Sequence, residues 1–121
     1  MANDARFSEL SWADFERLCM LLVSHAGYEN VERYGAGGSD GGIDIKATSN
    51  GGTHIFQCKR VAKLSPRDAL RELNKILKGS GPLPMSYTLI ATCQLGARVR
   101  HQLHQASIGH FECHVWALDE L

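Results

Sequence analysis

The stretch "GGIDIKATSNGGTHIFQCKR", residues 41–60, constrains this chain more than any other. Two runs of alternating apolar residues flank "SNGG", and Asn-Gly between such runs is the strongest short-range signal for a two-stranded hairpin. The strands are expected at about 42–48 and 53–60. Side chains alternate across a strand. Ile43, Ile45 and Ala47 therefore share one face, and Asp44 points to the other. On the second strand Gln57 and Lys59 share a face, with Phe56 and Cys58 opposite. A sheet gains nothing from an acid, an amide and an amine where Val or Thr would pack, so their convergence on one side calls for a chemical reason.

The rest of the chain supplies an ordinary frame. Its 121 residues suit one domain with one core, and 44% hydrophobic with 21% charged residues is a globular balance. Residues 11–26 read as a helix capped by Ser11 and ended by Gly27, with Trp12, Phe15, Cys19, Leu22, Val23 and Ala26 on one face. "NVERY", 30–34, reads as a short strand. "LSPRDALRELNKILKG" reads as a second helix, with Ser65 as cap, Pro66 at its first position and Gly79 as its stop. On it Leu70, Leu73, Ile76 and Leu77 face one way, and Arg67, Arg71, Lys75 and Lys78 nearly the other. A buried strand follows at 85–93, a third helix at 95–107 and a last strand at 112–118. The order αβββαβαβ predicts an α/β fold with a central mixed sheet, parallel in its later half and flanked by helices.

No N-terminal apolar segment suggests a signal peptide, and no apolar run approaches the roughly 20 residues that span a bilayer. Cys19, Cys58, Cys93 and Cys113 form no CxxC pair and sit in apolar segments, as buried reduced thiols of a cytoplasmic protein do. Net charge is zero, with 13 acids and 13 bases, but it is unevenly spread. The first 50 residues carry eight acids against four bases, and the remainder nine bases against five acids. Lys59, Arg60, Lys63, Arg67, Arg71, Lys75 and Lys78 form a local basic stretch, offset only by Asp68 and Glu72. Such a chain can hold a phosphate backbone beside a cation.

A carboxylate and an amide carbonyl are hard oxygen donors suited to Mg²⁺, which takes few protein ligands and keeps its waters. Asp44 and Gln57 would provide them, and the backbone carbonyl of Cys58 a third. Lys59 would orient an attacking water and offset phosphate charge. Glu16 borders the apolar face of the first helix and is the acid there that can look toward the sheet. The plainer alternative is a border glutamate and a buried Asp44–Lys59 salt bridge.

"FERLCMLLVSHAGYENVERYGAGGSDGGIDI" followed by "IFQCKR" resembles the Mrr-type branch of the PD-(D/E)xK restriction-endonuclease-like superfamily. The matching parts are Glu16, the glycine-rich segment ending in Asp44, and the QxK strand with Gln57 and Lys59. In that branch glutamine commonly replaces the acid of (D/E)xK. The resemblance implies Mg²⁺-dependent hydrolysis of DNA phosphodiesters, with Mn²⁺ as an alternative ion. Catalytic roles would fall to Asp44, Gln57, Lys59 and Glu16. The metal would be held by Asp44, Gln57, the Cys58 carbonyl and Glu16, the last directly or through water. It is similar too to nuclease effector domains of bacterial anti-phage defence proteins, which are fused to sensor or NTPase regions. The expectation is therefore a domain excised from a larger protein, acting on double-stranded DNA and brought into homo-oligomers by such a region or by a partner protein. Arg60, Lys63, Arg67, Arg71 and Lys75 would form the phosphate track. Two other classes stay open: a catalytically silent DNA-binding or assembly module, and a structure-specific nuclease of junctions or RNA.

Other motifs carry less. "GAGGSDGG" precedes a strand rather than a helix, so it is not a dinucleotide loop, and Asp40 within it is expected to form a turn. His101, His104, His110, Cys113 and His114 match no common structural-zinc spacing. Trp12 and Trp116 are expected in the core.

Overall fold

In a computed structural model of the chain, residues 11–33, 42–79 and 82–117 are described. Along them run α1 (Trp12–His25), β1 (Glu29–Arg33), β2 (Gly42–Ser49), β3 (Gly52–Lys59), α2 (Pro66–Leu77), β4 (Ser86–Ala91), α3 (Ala97–Ser107) and β5 (Glu112–Ala117). The expected order αβββαβαβ is the observed one. The glycine-rich loop with Asp40 lies outside the described residues, as does the side chain of Trp12.

Local chemistry accounts for the element boundaries. The Ser11 hydroxyl accepts from Asp14 N–H at 3.2 Å and the Ser65 hydroxyl from Asp68 N–H at 3.1 Å, each satisfying a donor with no partner inside its helix. Pro66 opens α2, where its missing N–H costs nothing. Asn50 and Gly51 both have positive φ, 53° and 77°, the geometry of a two-residue hairpin turn. That turn sets the register of β2 on β3 by pairing Ser49 with Gly52.

The five strands form one sheet in the order β1-β2-β3-β4-β5. β1, β2 and β3 pair antiparallel, and β3, β4 and β5 pair parallel. The sheet separates two cores. On one side α1 lays Phe15, Cys19 and Val23 against Ile45, Ala47, Phe56, Cys58 and Ile90, all with no solvent exposure. Trp116 joins this core, its ring centroid 5.6 Å from that of Phe56, as expected. On the other side α2 and α3 lay Ala69, Leu73, Val99 and Leu103 against Ile55, Tyr87, Leu89 and Ala91. Strands covered on both faces read as near-continuous apolar runs, and β4 is buried at every position.

The apolar side of α2 faces inward as expected, with Leu73 buried and Leu70, Ile76 and Leu77 packed against the same core, and Ala69 and Glu72 are buried on that side too. One expectation needs correction. None of the four cysteines forms a disulfide, but only Cys19 and Cys58 are buried, while Cys93 and Cys113 are half-exposed. No described helix is long and apolar enough to cross a membrane.

Candidate active site

The hairpin register places Asp44 directly opposite Gln57, and Gly42 opposite Lys59. Ile45 and Ala47 on β2, and Phe56 and Cys58 on β3, all belong to the α1-side core. Alternation therefore puts Asp44, Gln57 and Lys59 together on the face beneath α2. They gather where β2 begins and β3 ends, which is also the carboxyl end of parallel strands β4 and β5. That end is where open α/β sheets place their ligands.

Gln57 and Lys59 are buried, at 7% and 5% exposure, and Asp44 is half-buried. The Asp44 Oδ1 atom is buried and accepts no hydrogen bond, while the residue keeps other polar interactions. Lys59 Nζ lies 3.3 Å from Glu72 Oε2 of α2, and Lys75 Nζ lies 3.3 Å from the same oxygen. Asp44 and Glu72 both act on one neighbour: after burial and Cys113, they push the buried Tyr87 hydroxyl further above its ordinary range. Asp44 and Glu72 thus lie on the same side of the sheet as Lys59, beneath α2.

The end of β3 is pinned by β4. Thr92 N–H donates to the Lys59 carbonyl at 3.1 Å, and the Thr92 hydroxyl bridges Val61, donating to its carbonyl at 2.9 Å and accepting from its N–H at 3.0 Å. Three bonds thus fix the backbone on which Lys59 and Arg60 ride. Cys58, between Gln57 and Lys59, turns its side chain to the other core. Burial, and then the adjacent Cys19 sulfur, push its thiol well above the ordinary range, so the side chain is no anionic ligand at neutral pH. Only its backbone carbonyl is on offer to a cation.

Glu16 stands apart from this group. It lies on the α1 side of the sheet, where Arg33 Nε approaches its Oε2 to 2.9 Å. The N–H does not point at the oxygen, so this buried atom gains charge proximity without an aligned hydrogen bond. Arg33 is opposite Ile45, which puts Glu16 at the same end of the sheet as Asp44 but across it. Among the described residues no three His, Cys, Asp or Glu side chains cluster closely enough to hold a metal by themselves, and the histidines of α3 and β5 form no such set. An Asp44 carboxylate opposite a Gln57 carbonyl nevertheless fits Mg²⁺, which keeps several waters on one or two protein carboxylates.

α2 and α3 enclose an open groove of about 950 Å³. Arg67, Arg71, Lys75 and Lys78 line one wall and Arg98 of α3 the other, with Leu70 between them. Arg71 pairs with Asp68 at 3.0 Å, an exposed contact of little energy that a phosphate can replace. Arg60 is half-buried with other polar interactions and Lys63 is exposed, and neither lines the groove.

Sequence reasoning missed three participants. Glu72 was visible as an acid within a basic helix, Thr92 as a hydroxyl just past a buried strand, and Arg98 as a base opening α3. The pairing of β4 with β3 brings Thr92 to the hairpin, and the packing of helices on the sheet brings Glu72 to Lys59.

No curated protein and no solved structure matched the chain. The family model Mrr_cat, described as restriction endonuclease, matches residues 7–109, a span that includes α1, the hairpin, α2, β4 and α3. The chain therefore belongs to the Mrr_cat restriction endonuclease family.

Proposed function

We propose that this domain is a Mg²⁺-dependent endonuclease that hydrolyses phosphodiester bonds of double-stranded DNA, in the setting of a bacterial restriction or anti-phage system. The observation that carries the reading is the cross-strand pair Asp44–Gln57 with Lys59 beside it on one face. Asp44 and Gln57 would hold the ion with the Cys58 carbonyl, and Glu16 would join through water from across the sheet. When bound, Mg²⁺ would supply Lewis acidity toward the phosphate and acidify a water molecule.

The chain's own groups do the rest. Lys59 presents a positive charge where negative charge grows in the transition state. Burial of Gln57 and Lys59 keeps bulk water away and strengthens that interaction. The groove cations would hold the backbone of the duplex, and regular helices bearing Arg and Lys contact phosphates without reading bases. Among the described residues there is one such site, so cutting both strands calls for two copies on one duplex, brought together by an oligomerising region or partner.

The test is plasmid nicking with Mg²⁺, with Mn²⁺ and with EDTA, for wild type, Asp44→Ala and Lys59→Ala. Nicking is expected only for wild type with a divalent ion. Wild-type rates in either variant would overturn the assignment of these residues. DNA binding without cleavage under every condition would favour a silent binding module instead.

A further inference from the structure

We infer that Glu72 is a positioning residue for Lys59, the part of the active site contributed by α2; this rests on the nuclease reading of Asp44, Gln57 and Lys59. Among the described residues Glu72 is the only buried carboxylate and Lys59 the only buried ammonium, at 6% and 5% exposure, and they face one another at 3.3 Å.

An acid at this place needs explanation. Its neighbours on the inward face of α2 are Ala69 and Leu73, and a leucine would fill the same space without desolvating a charge. The outward face of the helix is basic, so Glu72 could have served there as one more solvated partner. Instead it is turned under the helix, toward the lysine of the QxK strand. An ammonium shielded from water is costly unless an opposite charge stands beside it, and Glu72 is placed to be that charge.

Glu72 also fixes direction. Lysine ends a flexible four-carbon stem, and the Thr92 bonds hold only its backbone. The contact with Glu72 Oε2 holds its tip. Lys75 shares that oxygen but is 59% exposed at its side chain and lines the groove. When DNA phosphate draws Lys75 away, Glu72 turns wholly to Lys59. The rigid strand therefore carries a lysine held at both ends, as a preorganised charge requires.

The experiment compares wild type, Glu72→Gln and Glu72→Asp by single-turnover cleavage in Mg²⁺ and by duplex affinity in Ca²⁺, with circular dichroism as a fold control. Glu72→Gln keeps the shape and loses the charge. Its cleavage rate should fall about 10- to 100-fold, the scale of a misplaced catalytic group, while affinity should hold or rise, because the residue does not line the groove and its loss of charge releases Lys75 to the phosphate. Glu72→Asp should recover part of the rate, since the charge returns at a shorter reach. An unchanged rate in Glu72→Gln would overturn the inference. So would a parallel loss of rate, affinity and fold in both variants, which marks a structural role alone. If wild type itself fails to cut with any divalent ion, the nuclease reading fails first and this inference with it.

Discussion

The buried pair of Lys59 and Glu72 gives a stability prediction whose size follows from its geometry. At 3.3 Å and an effective dielectric of about 20, two unit charges attract by about 5 kcal/mol. Desolvation costs several kcal/mol for each ion, so the pair as a whole comes close to break-even. Removing one member alone is different, because the other stays buried without its counter-charge. Such deletions cost about 3–5 kcal/mol. Lys59 keeps further polar interactions, which sets the expectation for Glu72→Leu at the lower end, about 3 kcal/mol. Lys59→Met leaves Glu72 beside Lys75, so its cost should be smaller, about 1–3 kcal/mol. The double variant Lys59→Met/Glu72→Leu replaces both charges by apolar groups and should match or exceed wild type. The cycle would then show coupling of about 4–6 kcal/mol, the sum of the two single losses that the double variant does not suffer. Urea unfolding followed by circular dichroism reads all four proteins, with an unchanged slope confirming that only stability moved. Additive losses in the double variant, or a Glu72→Leu protein within about 0.5 kcal/mol of wild type, would refute the reasoning. The stable double variant should not cut DNA, since the site carries charge at the expense of stability.

Two further outcomes are expected. Replacing Arg67, Arg71 and Lys75 by Gln should weaken binding to all duplexes alike and flatten the salt dependence by about 2 to 3 in log–log slope, with Arg98→Gln adding to it; titrations at several salt concentrations with an unchanged slope would place the backbone track elsewhere. Alkaline titration should destabilise the fold, because burial holds the Cys58 thiol and the Tyr87 hydroxyl well above their ordinary values of 9.0 and 10.0. Each group keeps its proton more tightly folded than unfolded, so the contribution is intact below the unfolded value and is lost as pH rises toward the folded one. Urea midpoints should begin to fall above about pH 9, and fall less steeply in Cys58→Ala; a flat profile up to about pH 11 would contradict it.

Much of the site was legible before any fold was known, because the features concerned are local. A strand alternates with a period of two whatever surrounds it, so Ile45 on one face dictates Asp44 on the other, and Asn50-Gly51 fixes which residue of β3 lies opposite. Ser11 and Ser65 cap their helices because a side-chain oxygen can satisfy an N–H three residues on. Periodicity placed the helices, and the αβββαβαβ order implied the mixed sheet.

What the sequence could not decide is how each helix turns on the sheet. A helical wheel leaves Glu16 and Glu72 alike as border residues, since each stands beside apolar neighbours within a turn. Docking sent Glu16 to the α1 side of the sheet, beside Arg33, and Glu72 to the α2 side, over Lys59. Leu70 packs against the core as its face predicts, yet it also lines a groove, because α3 lies beside α2 and brings Arg98 to the groove that Arg67 lines. The sequence by itself determined which hairpin side chains share a face, since backbone geometry carries that over a few residues. Only the tertiary structure decided which acid meets the lysine, because that depends on the rotation that best fills the space between helix and sheet, a sum over contacts from distant parts of the chain.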